Sequence, residues 1–325
     1  MSSLANKIRK WRPVGCSFML SSCKYCVVIP HRNVPELLRN CLESIPRLPY
    51  VHALVVDNSD ADKTADLALD GFECGFGGMT VIAREPRNVG YIRNEALRYL
   101  REQHFGGKVV FADADDYFTP EATACFEQFK DEDNDVVWFG VEGRDERGNL
   151  TSNADSIRRN MSVFVNEGKE GALRYNSGPV WGKFMDMQLI EKNDIWFPEI
   201  ETCEDTLFSA KVGYYARKPF VCPTPLYVYV QREGSLVMAN NARKAQTGCQ
   251  AAYDTTCWLK ERTEDGYYWT QYNVIWHWMN WCQQEGKAWR FFPEVYRLCD
   301  KKSALRGVAT VLKRKFRAKL RRGRM

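Results

Sequence analysis

Three carboxylates follow an apolar run in this chain. Residues 109–112 read Val-Val-Phe-Ala, and Asp113, Asp115 and Asp116 come directly after them. In an extended chain Asp113 and Asp115 would project from the same face, because they are two residues apart. Converging carboxylates attract a hard divalent cation such as Mg²⁺ or Mn²⁺, which in turn binds phosphate oxygens. The alternative is a surface turn whose acids are solvated or cap the helix that begins at Thr119.

Strands that alternate with helices must position these acids. Short apolar, β-branched runs predict buried strands at 24–30, 53–56, 80–83, 109–112 and 136–139. Apolar residues at helical spacing predict helices at 35–44, 61–69, 88–99 and 119–129. This alternation predicts a parallel α/β sheet with right-handed crossovers. Ligands bind beyond the carboxyl ends of such strands, so the polar residues that follow each strand are expected in one site.

The remaining sequence predicts a second half of the same unit and a helical extension. A loop carries Trp181 and Lys183, both expected to be exposed, and Glu204 and Asp205 lead into a helix at 206–214. A strand is predicted at 226–230, and helices at 241–262, 267–284 and 288–299. We therefore divide the chain into residues 1–235, with a first half at about 24–120 and a second half at about 121–235, and a helical extension at 236–325.

Composition excludes several classes of protein. With 325 residues and 45% hydrophobic residues the chain can bury a sizeable core, unlike a disordered protein. It contains no run of 18 apolar residues, so we expect no membrane-spanning segment and a cytoplasmic location. The 12 cysteines are scattered, which indicates reduced, buried thiols, and Cys23 and Cys26 lack a second pair at zinc spacing.

Charge is distributed unevenly along the chain. Residues 301–325 contain five Lys, six Arg and no acid, so they carry +11 of a net +5 and leave −6 for residues 1–300. An apolar stripe on the same predicted helix consists of Leu305, Val308, Leu312, Phe316 and Leu320. A basic helix with such a stripe suits the surface of an anionic membrane at its inner face. A solvated terminus, or one that folds onto the acidic body, is the alternative.

Six short motifs occur in the order typical of one enzyme family. They are V-I-P-H-R-N (28–33), V-V-D-N-S-D (55–60), N-V-G-Y-I-R-N (88–94), D-A-D-D (113–116), W-G-K-F (181–184) and E-D-T-L-F (204–208). On these motifs the chain resembles the family-2 glycosyltransferases of GT-A fold, of the bacterial polysaccharide type, over about residues 24–235. It departs from the family pattern where His31 replaces a tyrosine and Val56 replaces the first acid of a pair.

The resemblance implies a role for each matching residue. It implies nucleotide binding by Pro30, Arg32, Asp57, Arg93 and Asp113. It implies metal binding by Asp115, general-base catalysis by Asp205, and an acceptor or sugar pocket formed by Trp181, Lys183 and Glu204. Simpler roles exist for three of them: Asp57 could cap the next helix, Arg93 could be a solvated arginine, and Asp205 could be a first-turn acid stabilised by the helix dipole.

The resemblance also implies a reaction. We expect an inverting, metal-dependent transfer of a sugar from a UDP-sugar to an acceptor hydroxyl, with Mn²⁺ or Mg²⁺ as cofactor. The acceptor would be a saccharide or a lipid-linked saccharide in the synthesis of cell-surface polysaccharide or glycolipid. Asp116 is expected only to orient its neighbours.

Two other functions compete with this interpretation. An NAD-dependent dehydrogenase would share the alternating pattern, but the first strand-to-helix turn lacks G-x-G-x-x-G. A nucleic-acid-binding module could use the basic tail, but the body is acidic and carries no recognised nucleic-acid motif. We therefore expect a nucleotide-sugar partner and no nucleic acid.

Overall fold

A ten-stranded sheet forms the centre of the computed structural model, which describes residues 8–11, 20–232 and 241–322. The strands are β1 (Ile8–Trp11), β2 (Tyr25–His31), β3 (Val51–Asp57), β4 (Gly78–Ala83), β5 (Lys108–Phe111), β6 (Tyr117–Phe118), β7 (Val136–Asp145), β8 (Leu150–Thr151), β9 (Lys183–Asp186) and β10 (Pro219–Gln231). The predicted strands at 24–30, 53–56, 80–83 and 109–112 are confirmed with small changes of boundary.

The sheet is mixed rather than wholly parallel. Its order is β1-β4-β3-β2-β5-β9-β7-β10-β6, with β8 paired to β7. Strands β4, β3, β2 and β5 are parallel, as predicted. Strands β7 and β10 are also parallel to each other. The expectation of a parallel sheet is wrong for β9, which is inserted antiparallel between β5 and β7, and for β1 and β6, which are antiparallel to their neighbours.

Helices cover the sheet and then form a separate layer. They are α1 (Pro35–Ser44), α2 (Ala65–Leu69), α3 (Val89–Glu102), α4 (Ala122–Gln128), α5 (Asp155–Glu167), α6 (Gly171–Arg174), α7 (Met187–Lys192), α8 (Glu204–Tyr215), α9 (Ala242–Lys260), α10 (Glu264–Gln284), α11 (Phe292–Leu298) and α12 (Lys301–Arg322). Short 3₁₀ turns occupy Leu20–Ser22, Ser152–Ala154 and Gly286–Phe291. The predicted α/β sheet with a C-terminal helical extension is confirmed.

Two of the helices predicted beside the sheet begin later than expected. The helix expected at 119 begins at Ala122, because Thr119 bonds to β10 through its amide (3.1 Å to Leu226 O) and its hydroxyl (2.6 Å to Pro225 O). The helix expected at 61 begins at Ala65, whose amide is 2.7 Å from the Asp57 carboxylate. In both places side-chain or backbone groups take the hydrogen bonds that an earlier first turn would have used.

The hydrophobic residues form two clusters. The larger lies between the sheet and its helices, and the smaller consists of residues from α9 to α12, with Trp278 fully buried at its centre. The predicted boundary at 235 lies outside the described residues. The helical unit docks on the second half of the sheet domain, where Asn273 Nδ2 donates to Asn176 Oδ1 at 3.0 Å and Arg243 pairs with Glu201 at 2.5 Å.

The basic C-terminal helix is partly a structural element. Ala304 and Val311 on α12 are fully buried, and the close approach of Gly307 to Ile275 shows that this face packs on α10. The predicted stripe is therefore split: Leu305 and Leu312 are more than half exposed, whereas Val308 packs against the core of the helical unit. The side chains of Phe316 and Leu320 lie outside the described residues.

No helix in the described ranges combines the length and apolar character needed to cross a membrane. Of the 11 cysteines in those ranges, eight are buried, in agreement with the expectation of buried cysteines.

Candidate active site

The acidic motif after β5 forms a turn. The amide of Asp116 donates to the carbonyl of Asp113 at 3.1 Å, so the expectation that Asp113 and Asp115 share a face of an extended strand is wrong. The turn nevertheless brings oxygens of all three carboxylates within 4.8 Å of one another. Asp116 is only 2% exposed and accepts hydrogen bonds from Tyr227 Oη (2.9 Å) and Val230 N (2.7 Å). Both of its oxygens are thus used to hold the turn against β10.

Asp113 and Asp115 remain half-buried and each contacts one arginine. Arg93 Nη2 donates to Asp113 Oδ1 at 2.7 Å, and Arg232 Nη2 donates to Asp115 Oδ2. Among the described residues, each aspartate keeps one oxygen without a hydrogen-bond donor. Carboxylate oxygens are the ligands that Mg²⁺ and Mn²⁺ prefer. The donor set fits a divalent cation on Asp115, provided that the Arg232 guanidinium moves from Oδ2 or shares it.

Arg93 connects the acidic turn to helix α8. Its other terminal nitrogen, Nη1, donates to Glu204 Oε1, and its guanidinium lies 5.6 Å from the centre of the Phe197 ring. The Arg93 side chain is 5% exposed, so this double ion pair is formed away from bulk water. The resemblance predicted a contact between Arg93 and the nucleotide, whereas in this structure both terminal nitrogens bind protein carboxylates.

The motif around Arg93 is built for close contact with the second half of the domain. A Cβ on Gly90 would lie 2.2 Å from the Pro198 carbonyl oxygen, so only glycine allows this approach. Asn94 exchanges two hydrogen bonds with the backbone of Phe197, at 2.9 and 3.0 Å. Asn88 caps α3 through Tyr91 N and also donates to the Glu199 carbonyl. The segment before α8 is thereby fixed to the first turn of α3.

Glu204 and Asp205 are the first two residues of α8, which begins two residues before the position predicted for the helix start. Glu204 is buried and paired with Arg93, while Asp205 is half-buried. Burial, together with the negative charge of Glu204, raises the pKa of Asp205 to about 7, although Arg93 and Lys183 oppose this shift. A carboxylate with a pKa near neutrality can accept a proton from a hydroxyl group at physiological pH.

At the other edge of the site, Asp57 caps a helix. Its carboxylate accepts hydrogen bonds from His31 Nδ1 (3.0 Å), Ser59 N (3.0 Å) and Ala65 N (2.7 Å). The amide of Val34 donates to His31 Nε2, so His31 carries its proton on Nδ1 and donates it to Asp57. Burial raises the pKa of Asp57, but these hydrogen bonds outweigh it and the pKa is lowered.

The other nucleotide-binding candidates lie beside Asp57. Pro30 is the neighbour of Val56 in the β2–β3 register, as His31 is of Asp57. Arg32 follows β2 with its side chain exposed at the carboxyl edge of the sheet. Residues from β2, β3 and β5 therefore converge on one edge, as the strand pattern predicted.

The structure corrects the expected exposure of Trp181 and Lys183. Trp181 is half-buried and stacks on the rings of Tyr227 and Tyr229, with centroid distances of 5.5 and 5.6 Å. Lys183 is 2% exposed, and burial lowers its pKa to about 7. Both were expected in an open loop, but β9 begins at Lys183 and carries its side chain inward.

Sequence reasoning missed three residues of this site. Tyr227 accepts a hydrogen bond from Asp113 N at 2.8 Å while donating to Asp116, Arg232 pairs with Asp115, and Ser209 lies one turn after Asp205 on α8. Tyr227 and Arg232 are more than 110 residues away from their partners along the chain. Their only sequence signal was the apolar and aromatic strand that carries or precedes them.

Comparison with known proteins identifies relatives of this chain. Residues 26–187 match the family model described as Glycosyl transferase family 2. The chain is 25% identical over 232 residues to EpsH of Bacillus subtilis (strain 168), which carries a glycosyltransferase name; the alignment covers 69% of this chain and 65% of EpsH. It is 26% identical over 228 residues to the poly(ribitol-phosphate) beta-N-acetylglucosaminyltransferase TarS of Staphylococcus aureus (strain Mu50), over 65% of this chain and 36% of TarS.

Two solved structures share the fold. Staphylococcus aureus TarS 1–349 in complex with UDP-GlcNAc matches with a TM-score of 0.59 and 20% identity, over 85% of this chain and 79% of that chain. The mannosyltransferase PcManGT from Pyrobaculum calidifontis, in complex with GDP-Man and Mn²⁺, matches with a TM-score of 0.51 and 15% identity, over 94% and 86%. The chain spans between about a third and two thirds of the length of the curated relatives.

Proposed function

This chain belongs to glycosyl transferase family 2, and from that premise we propose that it transfers a sugar from a UDP-sugar to an acceptor hydroxyl with inversion at C1. The observation that carries the proposal is the Arg93 bridge, which joins the acidic turn 113–116 to the Glu204–Asp205 pair, so that the two groups would lie on two sides of one site. An inverting transfer needs such an arrangement, because the leaving diphosphate and the attacking hydroxyl lie on opposite faces of the sugar.

The donor side would hold the nucleotide. Asp57, Arg32 and Pro30 would contact the base, and Asp113 would contact the ribose. Asp115 would hold Mn²⁺ or Mg²⁺, whose charge would stabilise the diphosphate as it leaves. Arg232, once displaced from Asp115, would be a second cation close to the same phosphates.

Asp205 is our candidate for the general base. Its side chain has no hydrogen bond to any residue that the structure describes, so its oxygens are available to the acceptor hydroxyl. The raised pKa allows it to take the proton as the oxygen attacks C1. Glu204 would keep Arg93 in place rather than touch the acceptor, while Trp181 would form part of the pocket wall beside Tyr229.

The names of the relatives support an acceptor in polymer synthesis. Two of them are sugar transferases named for poly(ribitol-phosphate). We propose a saccharide or lipid-linked saccharide as the acceptor of this chain. The cations of residues 301–325 would then keep the enzyme near an anionic inner membrane face that carries such an acceptor.

The proposal can be tested without knowledge of the acceptor. UDP, GDP and a panel of their sugars are screened by thermal shift with and without Mn²⁺, with Asp115→Ala as the variant and the exposed acid change Asp254→Ala as its control. We expect a UDP-sugar to raise the melting temperature only with Mn²⁺, in the wild type and the control but not in Asp115→Ala. A melting-temperature shift that is equal with and without metal would refute the metal assignment. A preference for GDP-sugars would refute the choice of uracil as the nucleobase.

A further inference from the structure

Lys183 is a buried lysine whose hydrogen bonds are all made within the protein. Its Nζ donates to the carbonyls of Ser177 (3.0 Å) and Pro179 (2.5 Å) and to the hydroxyl of Ser209 (3.2 Å). An ammonium group has three N–H donors, so none remains for a sugar. In the described part of the chain no carboxylate forms an ion pair with it. Burial of a charged group costs free energy unless the group is hydrogen-bonded. These three contacts therefore stabilise Lys183 in its buried position.

Ser209 completes the same connection from helix α8. Its hydroxyl donates to the Gly178 carbonyl at 2.7 Å, so Lys183 and Ser209 together bind the carbonyls of residues 177, 178 and 179. Ser209 is four residues after Asp205, which places the two side chains on one face of α8. The segment 177–182 is therefore held beside the face of the helix that carries the candidate base.

We propose that Lys183 is a positioning residue that fastens segment 177–182 to helix α8 and so fixes the acceptor side of the site around Asp205. It does not touch the acceptor, because its hydrogen bonds are made to Ser177, Pro179 and Ser209. This inference rests on the proposed function, because it takes Asp205 as the base.

The fastened segment also reaches the donor side. Trp181 stacks nearly parallel to the Tyr227 ring, at 17°, and the Tyr227 hydroxyl bonds to Asp116 and to the amide of Asp113. Gly182, with φ of +67°, lets the chain turn from Trp181 into β9 where its α-carbon lies against Val141. Movement of the segment would therefore disturb the acidic turn as well as the surroundings of Asp205.

Electrostatics supports a second effect of Lys183 on Asp205. The charged or titratable groups that face Asp205 are Glu204, Arg93, Lys183, Asp113 and Cys203. Of these only Arg93 and Lys183 favour the ionised carboxylate, and Arg93 is already paired with two acids. Loss of Lys183 would leave Asp205 harder to ionise.

The test compares Lys183→Met with Lys192→Met, the same change at an exposed lysine on α7. Hydrogen–deuterium exchange is measured for residues 177–182, and the carboxyl carbon of Asp205 is titrated by NMR in ¹³C-labelled protein. We expect Lys183→Met to speed exchange in the segment about tenfold, as loss of about one or two net hydrogen bonds would, and to move the Asp205 titration to higher pH. Lys192→Met should change neither. Unchanged exchange, or faster exchange spread equally over the whole protein, would overturn the proposal.

A milder variant keeps the test decisive if Lys183→Met does not fold. Ser209→Ala removes the hydroxyl that joins Lys183 to Gly178, and we expect local acceleration of exchange in 177–182 alone. The absence of this acceleration would also overturn the proposal. Failure of the base assignment gives a different result: full turnover in Asp205→Asn would remove Asp205 as the base but leave the exchange data on Lys183 unaffected.

Discussion

The carboxylates on the two sides of the site differ in their partners. On the donor side, Asp113 and Asp115 each contact an arginine, and Asp116 is held by Tyr227 and Val230. On the acceptor side, the Asp205 carboxylate has neither a hydrogen bond nor an ion pair with any residue that the structure describes. The same residue type is therefore placed in two opposite environments about one site.

This difference in partners indicates that the carboxylates on the two sides have different functions. Carboxylates fixed by cations and amides keep their positions, which suits residues that hold a ligand. Burial raises the pKa of Asp205, as it does the pKa values of Asp113 and Asp116. What distinguishes Asp205 is that it is unpaired and has free lone pairs, which suits a residue that accepts a proton. We infer that the donor side is built for binding and the acceptor side for proton transfer.

Loss of Arg93 is expected to have the largest effect, because this residue pairs with carboxylates on both sides of the site. Arg93→Met leaves Glu204 buried without its partner, and loss of one member of a buried ion pair costs about 3–5 kcal/mol. We expect a fall of that size in the free energy of unfolding measured with urea. Arg98→Met, an exposed change on the same helix, should cost only about 0–1 kcal/mol. Equal losses in the two variants would show that the bridge has no special role.

Loss of Arg232 is expected to affect the donor side of the site alone. Its guanidinium contacts the carboxylate proposed to bind metal, so Arg232→Ala should raise the affinity for Mn²⁺ in the absence of nucleotide. A partly exposed ion pair contributes about 1 kcal/mol, which corresponds to roughly a fivefold change. Electron paramagnetic resonance of free Mn²⁺ measures it, with Arg243→Ala at an exposed ion pair as the control. Weaker Mn²⁺ binding in Arg232→Ala would mean that the arginine supports the metal site instead of competing with it.

Removal of the basic C-terminal tail should leave both the donor side and the acceptor side of the site unchanged. Because Ala304 and Val311 are buried against α10, the chain should be cut after Lys313, which removes seven cations and spares this contact. Each cation near an anionic surface contributes about 1 kcal/mol, so we expect the truncated protein to lose sedimentation with phosphatidylserine vesicles at low salt. Its turnover of a UDP-sugar in solution should stay within about twofold of the full chain. Continued sedimentation would exclude the tail as the anchor.

The sequence predicted the donor side better than the acceptor side, for a physical reason. Strands β2, β3 and β5 are continuous apolar runs, and residues that follow parallel strands must meet at one edge. The antiparallel insertion of β9 has no such signal, because its four residues, Lys-Phe-Met-Asp, include only two apolar residues between two charged ones.

The environment of individual side chains was harder still to predict. Lys183 is buried because three oxygens from a loop and a helix surround it, and no local pattern reports contacts of that kind. Asp57 was predicted to bind the base, with capping as the alternative, and the structure shows that its carboxylate caps α2. Its contact with a base stays a prediction.

The most direct test of the account is the pH dependence of UDP-sugar turnover in the wild type and in Asp205→Asn. Above pH about 7 Asp205 is ionised and can accept a proton, so the wild-type rate should rise as the pH passes through that value. Asp205→Asn should bind the UDP-sugar as tightly as the wild type, lose this rise, and turn over ~10²–10⁴-fold more slowly. Full turnover in Asp205→Asn, or the same rise with pH in both proteins, would contradict the assignment of Asp205 as the base.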